Sequence, residues 1–188
     1  MKQKVEGIWT IGHSTRSLEE FILLLKLHQI TSLVDVRQFP GSRKFPHFNR
    51  ENLEKILPEH GIDYTHLLDL GGRRKVQKDS PNDNWRHSAF RGYADYMMTE
   101  PFARGIEKLL QIAEKKRTAI MCSEVLWWRC HRGMISDFLK VRDVLVHHIL
   151  SATKTEDHPF TSAARIVDGK LSYRAAESPM ELTAKARK

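Results

Sequence analysis

A chain of 188 residues, 40% hydrophobic and 29% charged, is long enough to bury one core and short for two. That balance excludes a disordered chain, and no apolar run reaches the ~18 residues that a membrane-crossing helix needs. The formal net charge of +8 favours an anionic partner such as nucleic acid, a phosphorylated small molecule or an acidic protein surface, and with no membrane-crossing run no membrane partner is expected. The stretch MKQKVEGIWTIGHS has too short an apolar run for a secretory signal core. Cys122 and Cys130 make no disulfide scaffold, so a reducing cytoplasm with both thiols free is expected.

In chain order, the apolar run Ile8–Ile11 ends in Gly12 and leads through His13, Ser14 and Thr15 to Ser17-Leu-Glu-Glu20. This is a capping-box pattern, in which Ser17 holds a helix start and Glu20 reaches back to it. Phe21, Leu24, Leu25 and His28 follow at helical spacing. The unit repeats as strand Leu33–Val36 with Arg37 at its end and a Pro-, Gly- and Arg-rich loop from Gln38 to Asn49. A helix bearing Leu53, Ile56 and Leu57 comes next; Gly61 closes it, and Ile62–His66 forms a third strand. Residues 67–91 form a long loop with Gly71-Gly72 and a basic run from Arg73 to Lys78, and a short helix spans Tyr93–Met98.

A clearer helix runs over Glu100–Lys116, with Pro101 in its first turn and Phe102, Ile106, Leu109, Leu110 and Ala113 as its buried stripe. Strand Thr118–Met121 passes directly into Cys122-Ser123-Glu124, a helix spans Cys130–Arg142, and Val144–Leu150 is a last core strand. Asp168-Gly169 is a hairpin turn pair between Arg165-Ile-Val and Lys170-Leu-Ser-Tyr. The alternation predicts an α/β fold of three layers, α/β/α, with a mainly parallel sheet, right-handed crossovers and a small C-terminal hairpin. Residues 1–177 form one domain in this reading, with a charged, frayed tail over 178–188.

In open parallel sheets the ligand sits beyond the carboxyl ends of the strands. The unusual polar residues fall on that edge: His13 and Ser14 after the first strand, then Asp35, Arg37, Arg43 and Arg73, and finally Cys122, Ser123, Glu124 and Cys130-His131-Arg132. A helix beginning at Cys130 offers unpaired N–H groups and a dipole that favour an anion and lower a thiol pKa. Arg132 adds a fork suited to phosphate or carboxylate. Glu124, Cys122, His131 and His13 are the candidate catalytic groups. Ser14, Asp35, Arg37, Arg43, Arg73, Cys130 and Arg132 are the candidate binding groups.

Each has a plainer alternative. Cys130 would serve equally as a small core residue, Glu124 as an ion-pair partner of Arg132 or Arg37, and Asp35 as a buried carboxylate that orients an Arg or His. Trp127, Trp128 and Trp85 would stack on a base or ring, or form a lid. A phosphatase loop would need its arginine where Trp128 stands, one position before Arg129. Zinc would recruit Cys122, Cys130 and His131, with His13 or His47 as a fourth ligand, but compact zinc sites pair ligands as C-x₂₋₄-C and seven residues separate the two cysteines. The spacing therefore calls for no metal and no cofactor.

TIGHS (10–14), LVDVR with FPGSRKFPHFN (33–49), YTHLLDLGGRR (64–74), FRGYADYM (90–97) and CSE…CHR (122–132) together resemble the domain of unknown function 488 family. The resemblance runs from residue 8 to about 150 and rests on several ordered motifs. It implies an α/β domain with a strand-end pocket built from these motifs, and it supplies no reaction. The reading for function is an enzyme, hydrolase- or transferase-like, acting on a phosphate-bearing or other anionic substrate. Its alternatives are a non-catalytic nucleic-acid or phosphometabolite binding module and a zinc or redox thiol protein.

Overall fold

The computed structural model describes Val5 and residues 7–176, so the tail expected over 178–188 lies outside the described residues. Five strands are parallel: β1 (Ile8–Gly12), β2 (Ser32–Asp35), β3 (Asp63–His66), β4 (Thr118–Cys122) and β5 (Val146–Ile149). A short edge strand β6 (Thr155–Asp157) pairs antiparallel with β5, giving the order β3-β2-β4-β1-β5-β6. The hairpin β7 (Arg165–Val167) and β8 (Lys170–Ser172) stands apart from this sheet. Its turn residues Asp168 and Gly169 both take positive φ, as the pair required. The α/β class and the C-terminal hairpin are therefore present. Among the described residues no helix is long and apolar enough to cross a membrane.

Helices α1 (Leu18–Leu27) and α2 (Arg50–Glu59) pack one face of the sheet. Helices α3 (Ser88–Tyr96), α4 (Glu100–Ala113) and α5 (His131–Lys140) pack the other. Strand alternation divides the core accordingly. Trp9, Ile11, Leu33, Ala119 and Met121 face α1 and α2, while Ile8, Val34, Ile120 and Cys122 face the other three helices.

Local chemistry explains the boundaries. Ser17 Oγ accepts the Glu20 N–H at 3.1 Å, but the Glu20 carboxylate turns to Arg16, so only half of the capping box forms. Gly61 ends α2 with φ +74°. Helix α3 starts at Ser88, well before the expected Tyr93, because the His87 ring caps it by accepting the Ala89 N–H. The long loop before α3 is tied down by Asp95, which accepts from Gln77 N, Ser80 Oγ and Asn82 Nδ2.

The loop after β2 turns to α2 on one face, whereas the loop after β4 turns to α5 on the other. Adjacent strands whose connections diverge open a crevice at their carboxyl ends. Gly12 closes the neighbouring gap between β1 and β4. A Cβ built there would lie 1.9 Å from the Glu124 carbonyl oxygen and 2.8 Å from the Val125 Cα, both backbone atoms. Gly12→Ala is therefore expected to push the 124–125 segment off β1 and cost about 1–3 kcal/mol, read from a urea unfolding curve. A variant as stable as the parent would contradict this contact.

Candidate functional site

At the end of β2, Asp35 is fully buried and grips Arg37 through Nε and Nη2, with Oδ2 2.6 Å from Nη2. Tyr64 donates to the same carboxylate at 2.6 Å. Arg37 also donates Nη2–H to the Phe48 carbonyl and Nη1–H to His13 Nε2, 3.4 Å away. One Nη1 N–H remains without a partner among the described residues. His13 is stacked on Phe48 at 4.2 Å and donates Nδ1–H to the Ser14 carbonyl. Burial, then the Arg37 charge, lowers its pKa to about 4, so the ring is neutral and steadies Arg37 from behind.

At the end of β4, the chain passes Ser123–Leu126, makes a 3-10 turn over Trp127–Arg129 and enters α5 with Cys130 as N-cap. Cys130 Sγ accepts the Arg132 N–H at 3.5 Å and lies 3.6 Å from His131 Nδ1. His131 donates Nε2–H to the Val36 carbonyl at 2.9 Å, which leaves Nδ1 as the acceptor in the neutral ring. Cys122, Cys130 and His131 bring their three ligand atoms within 4.8 Å of one another, and both cysteines are free thiols. The seven-residue spacing thus gave a poor guide, because the loop folds the strand end back onto the helix start.

Burial alone would raise the Cys130 pKa, but the Cys122 thiol, the Arg132 charge and the Arg132 N–H together bring it down to about 6. The same contact with Cys130, reinforced by burial, pushes Cys122 up to about 12. One thiolate and one thiol share the site at neutral pH.

Arg132, 1% exposed, does not line the cleft. It donates to Thr10 Oγ1 at 3.1 Å and to the carbonyls of Glu124 and Val125. The expected fork for a substrate anion is a clamp on the protein's own backbone. From Thr10 the hydrogen bonds continue in one direction, to His148 Nδ1 at 2.7 Å, from His148 Nε2 to His158 Nδ1, and from His158 Nε2 to Asp137. Asp137 also accepts from Thr161 and Tyr173.

A cavity of about 500 Å³ opens in the crevice between β2 and β4. Of the expected residues it is lined by Arg37, Arg73, Cys122, Glu124, Cys130 and His131. Glu124 is exposed, so the burial its acid–base role required is absent, and its link to Arg132 runs through its backbone carbonyl. Asp35 and His13 stand behind Arg37, and Ser14, with φ +47°, binds the loop through its N–H to the Ser123 carbonyl. Arg43 is exposed and is not part of the lining.

The chain supplies groups that sequence reasoning missed, namely Arg129, His87, Gln38, Phe39, Phe90 and Tyr93. Arg129 and Arg73 have no carboxylate partner among the described residues, and the Gln38 amide oxygen is buried without a hydrogen bond. Position alone could have marked Arg129, directly before the Cys130 cap. None of the tryptophans reaches the cavity: Trp127 stacks on His148 at 4.5 Å, and Trp85 packs against Phe90 and Tyr173. Of the basic run, Arg74 lies 3.6 Å over the Tyr96 ring and is spent there.

The family model for the domain of unknown function DUF488 matches residues 17–139, more than half of the chain. The chain belongs to that family. No curated protein and no solved structure matches it. The DUF488 match takes in Arg37, Arg73, Cys122, Glu124 and Cys130 to Arg132, and stops short of His148, His158 and Tyr173.

Thiolate formation sets the rate of alkylation. In the reduced, chelator-treated chain, iodoacetamide should label Cys130 with a half-point near pH 6 while Cys122 stays unlabelled, as read by peptide mass spectrometry. Cys122→Ala removes a group that lowers Cys130 and should move the half-point upward. Two cysteines titrating together in the ordinary thiol range would contradict the pairing.

Proposed function

We propose that this chain is an enzyme acting on an anionic substrate, a phosphate ester or a related anion, received in the β2–β4 cleft. The observation that carries the reading is the contrast between the cavity's rim and its floor. Among the described residues, Arg73 and Arg129 stand at the rim without carboxylate partners, and Arg37 offers one free N–H. The floor holds two buried thiols and an imidazole whose Nδ1 points to sulfur. A module that only binds anions needs the rim and has no use for the floor.

The protein's residues divide the work. Arg73 and Arg129 attract and orient the anion, since a guanidinium fork matches phosphate oxygens. Asp35 and His13 hold Arg37 rigid, so its remaining N–H is pre-aimed. Phe39, Phe90 and Tyr93 give the substrate an apolar wall. Cys130 and His131 supply the reactive floor, and Glu124 stands exposed at the opening.

The test is a panel of phosphorylated small molecules and a single-stranded oligonucleotide, followed for binding by calorimetry and for turnover by mass spectrometry. Arg73→Ala and Arg129→Ala should each weaken binding about tenfold, the size of one charge-assisted hydrogen bond. Cys130→Ser should abolish turnover and leave binding in place. Turnover that survives Cys130→Ser would overturn the reading. Binding without turnover, falling steeply with salt and indifferent to both thiols, would make the chain a nucleic-acid binding module instead.

A further inference from the structure

The geometry points to a metal site: Cys122 Sγ, Cys130 Sγ and His131 Nδ1 form three corners of a tetrahedral site for a thiophilic divalent cation of the zinc class, its fourth corner open to the cleft. Three observations converge on it. The first is spacing. Zinc bound at ~2.3 Å from sulfur and ~2.1 Å from nitrogen sets a tetrahedral S···N edge of about 3.6 Å. Cys130 Sγ and His131 Nδ1 are 3.6 Å apart, and Cys122 lies within the same 4.8 Å cluster.

The second is the imidazole's orientation. A ligating histidine commonly donates its other N–H to a carbonyl or carboxylate, which fixes the ring and its tautomer. His131 does so through Nε2 to the Val36 carbonyl, and its ring is held by Tyr93 at 4.9 Å and by the bare backbone of Gly72. The third is the setting of the sulfurs. Both are buried, unlinked to each other by a disulfide, and Cys130 already receives a backbone N–H of the kind that supports a metal thiolate.

The donor set fits the metal. Two sulfurs and one nitrogen suit zinc and disfavour magnesium or calcium, which take oxygen. Three protein ligands with one vacant position is also the pattern of catalytic zinc rather than of a closed structural site. All three ligands line the cavity that Arg73 and Arg129 rim, so the fourth position would take water or the bound anion. The identity of that fourth ligand rests on the anion-cleft reading above; the metal site itself does not.

Cobalt(II) is the direct probe, because thiolate ligation gives it charge-transfer absorption and tetrahedral geometry gives it intense visible bands. The full chain, reduced and freed of metal by chelation, should bind one equivalent of Co²⁺ with both signatures, and Zn²⁺ should displace it. Cys122→Ser, Cys130→Ser and His131→Gln should each weaken binding by more than the roughly 10–100-fold that loss of a second-shell partner costs. On the unaltered chain, Zn²⁺ should protect Cys130, the thiol that reacts in the metal-free chain, from iodoacetamide, a readout independent of whether the variants fold. No charge-transfer band, or a Cys130 that Zn²⁺ leaves unprotected, would overturn the site. Inorganic phosphate separates the two readings. A cobalt spectrum that phosphate shifts supports both, and one that phosphate leaves unchanged upholds the metal while removing the anion from the fourth position. Phosphate binding without a cobalt band upholds the cleft and removes the metal.

Discussion

A guanidinium sealed inside the protein ties the carboxyl edge of the sheet together. Arg132 donates to Thr10 on β1 and to two carbonyls of the loop leaving β4, and no carboxylate lies within ion-pair reach of it among the described residues. Burying a charge costs several kcal/mol unless polar partners compensate it. Here neutral oxygens accept from its two Nη atoms, while Nε is buried without a partner among the described residues, and the sulfur of Cys130 lies close enough for the Arg132 charge to lower its pKa. The cation that fixes the loop is thus the cation that favours a thiolate at the helix start. Stability and chemistry draw on one group.

The two faces of the sheet then support the site separately. On the α1 and α2 side, Asp35 is buried with Tyr64 and Phe48 around it and holds Arg37 at the cleft wall. On the α5 side, the hydrogen bonds from Thr10 through His148 and His158 to Asp137 hold Thr10 in the orientation that Arg132 requires. Burial and the neighbouring His158 and Arg132 lower the pKa of His148 to about 2, which keeps this line of groups neutral at its centre. A rigid second layer of this kind is what keeps a cleft's reactive groups in register.

Much of the architecture was legible in the sequence because its signals were local. The apolar runs at Ile8, Leu33, Thr118 and Val146 mark strands, and Ser17, Gly61 and Asp168-Gly169 mark ends and turns through their own backbone chemistry. What was not legible depends on sequence-distant partners. Strand β6 is three polar residues, two of them exposed, and exists because β5 offers it an edge. Helix α3 begins early on a histidine cap that propensity does not signal. Arg132 reads as a solvent-facing or substrate-binding charge until β1 is placed beside it, and the Thr10-to-Asp137 line spans residues 10 to 158. The convergence of Cys122 with Cys130 was hidden by the spacing of seven residues, which a strand–loop–helix turn closes in space.

The central claim is that Arg132 folds the 123–129 loop so that the two thiols share the cleft floor, and phenylarsine oxide, which bridges closely spaced thiols, tests it most directly. The metal-free native chain should bind one equivalent across Cys122 and Cys130, as mass spectrometry would show, and Arg132→Lys, confirmed folded by circular dichroism, should capture it far more slowly. Equal capture by the native chain and the folded variant, or capture at a single cysteine in the native chain, would contradict the account.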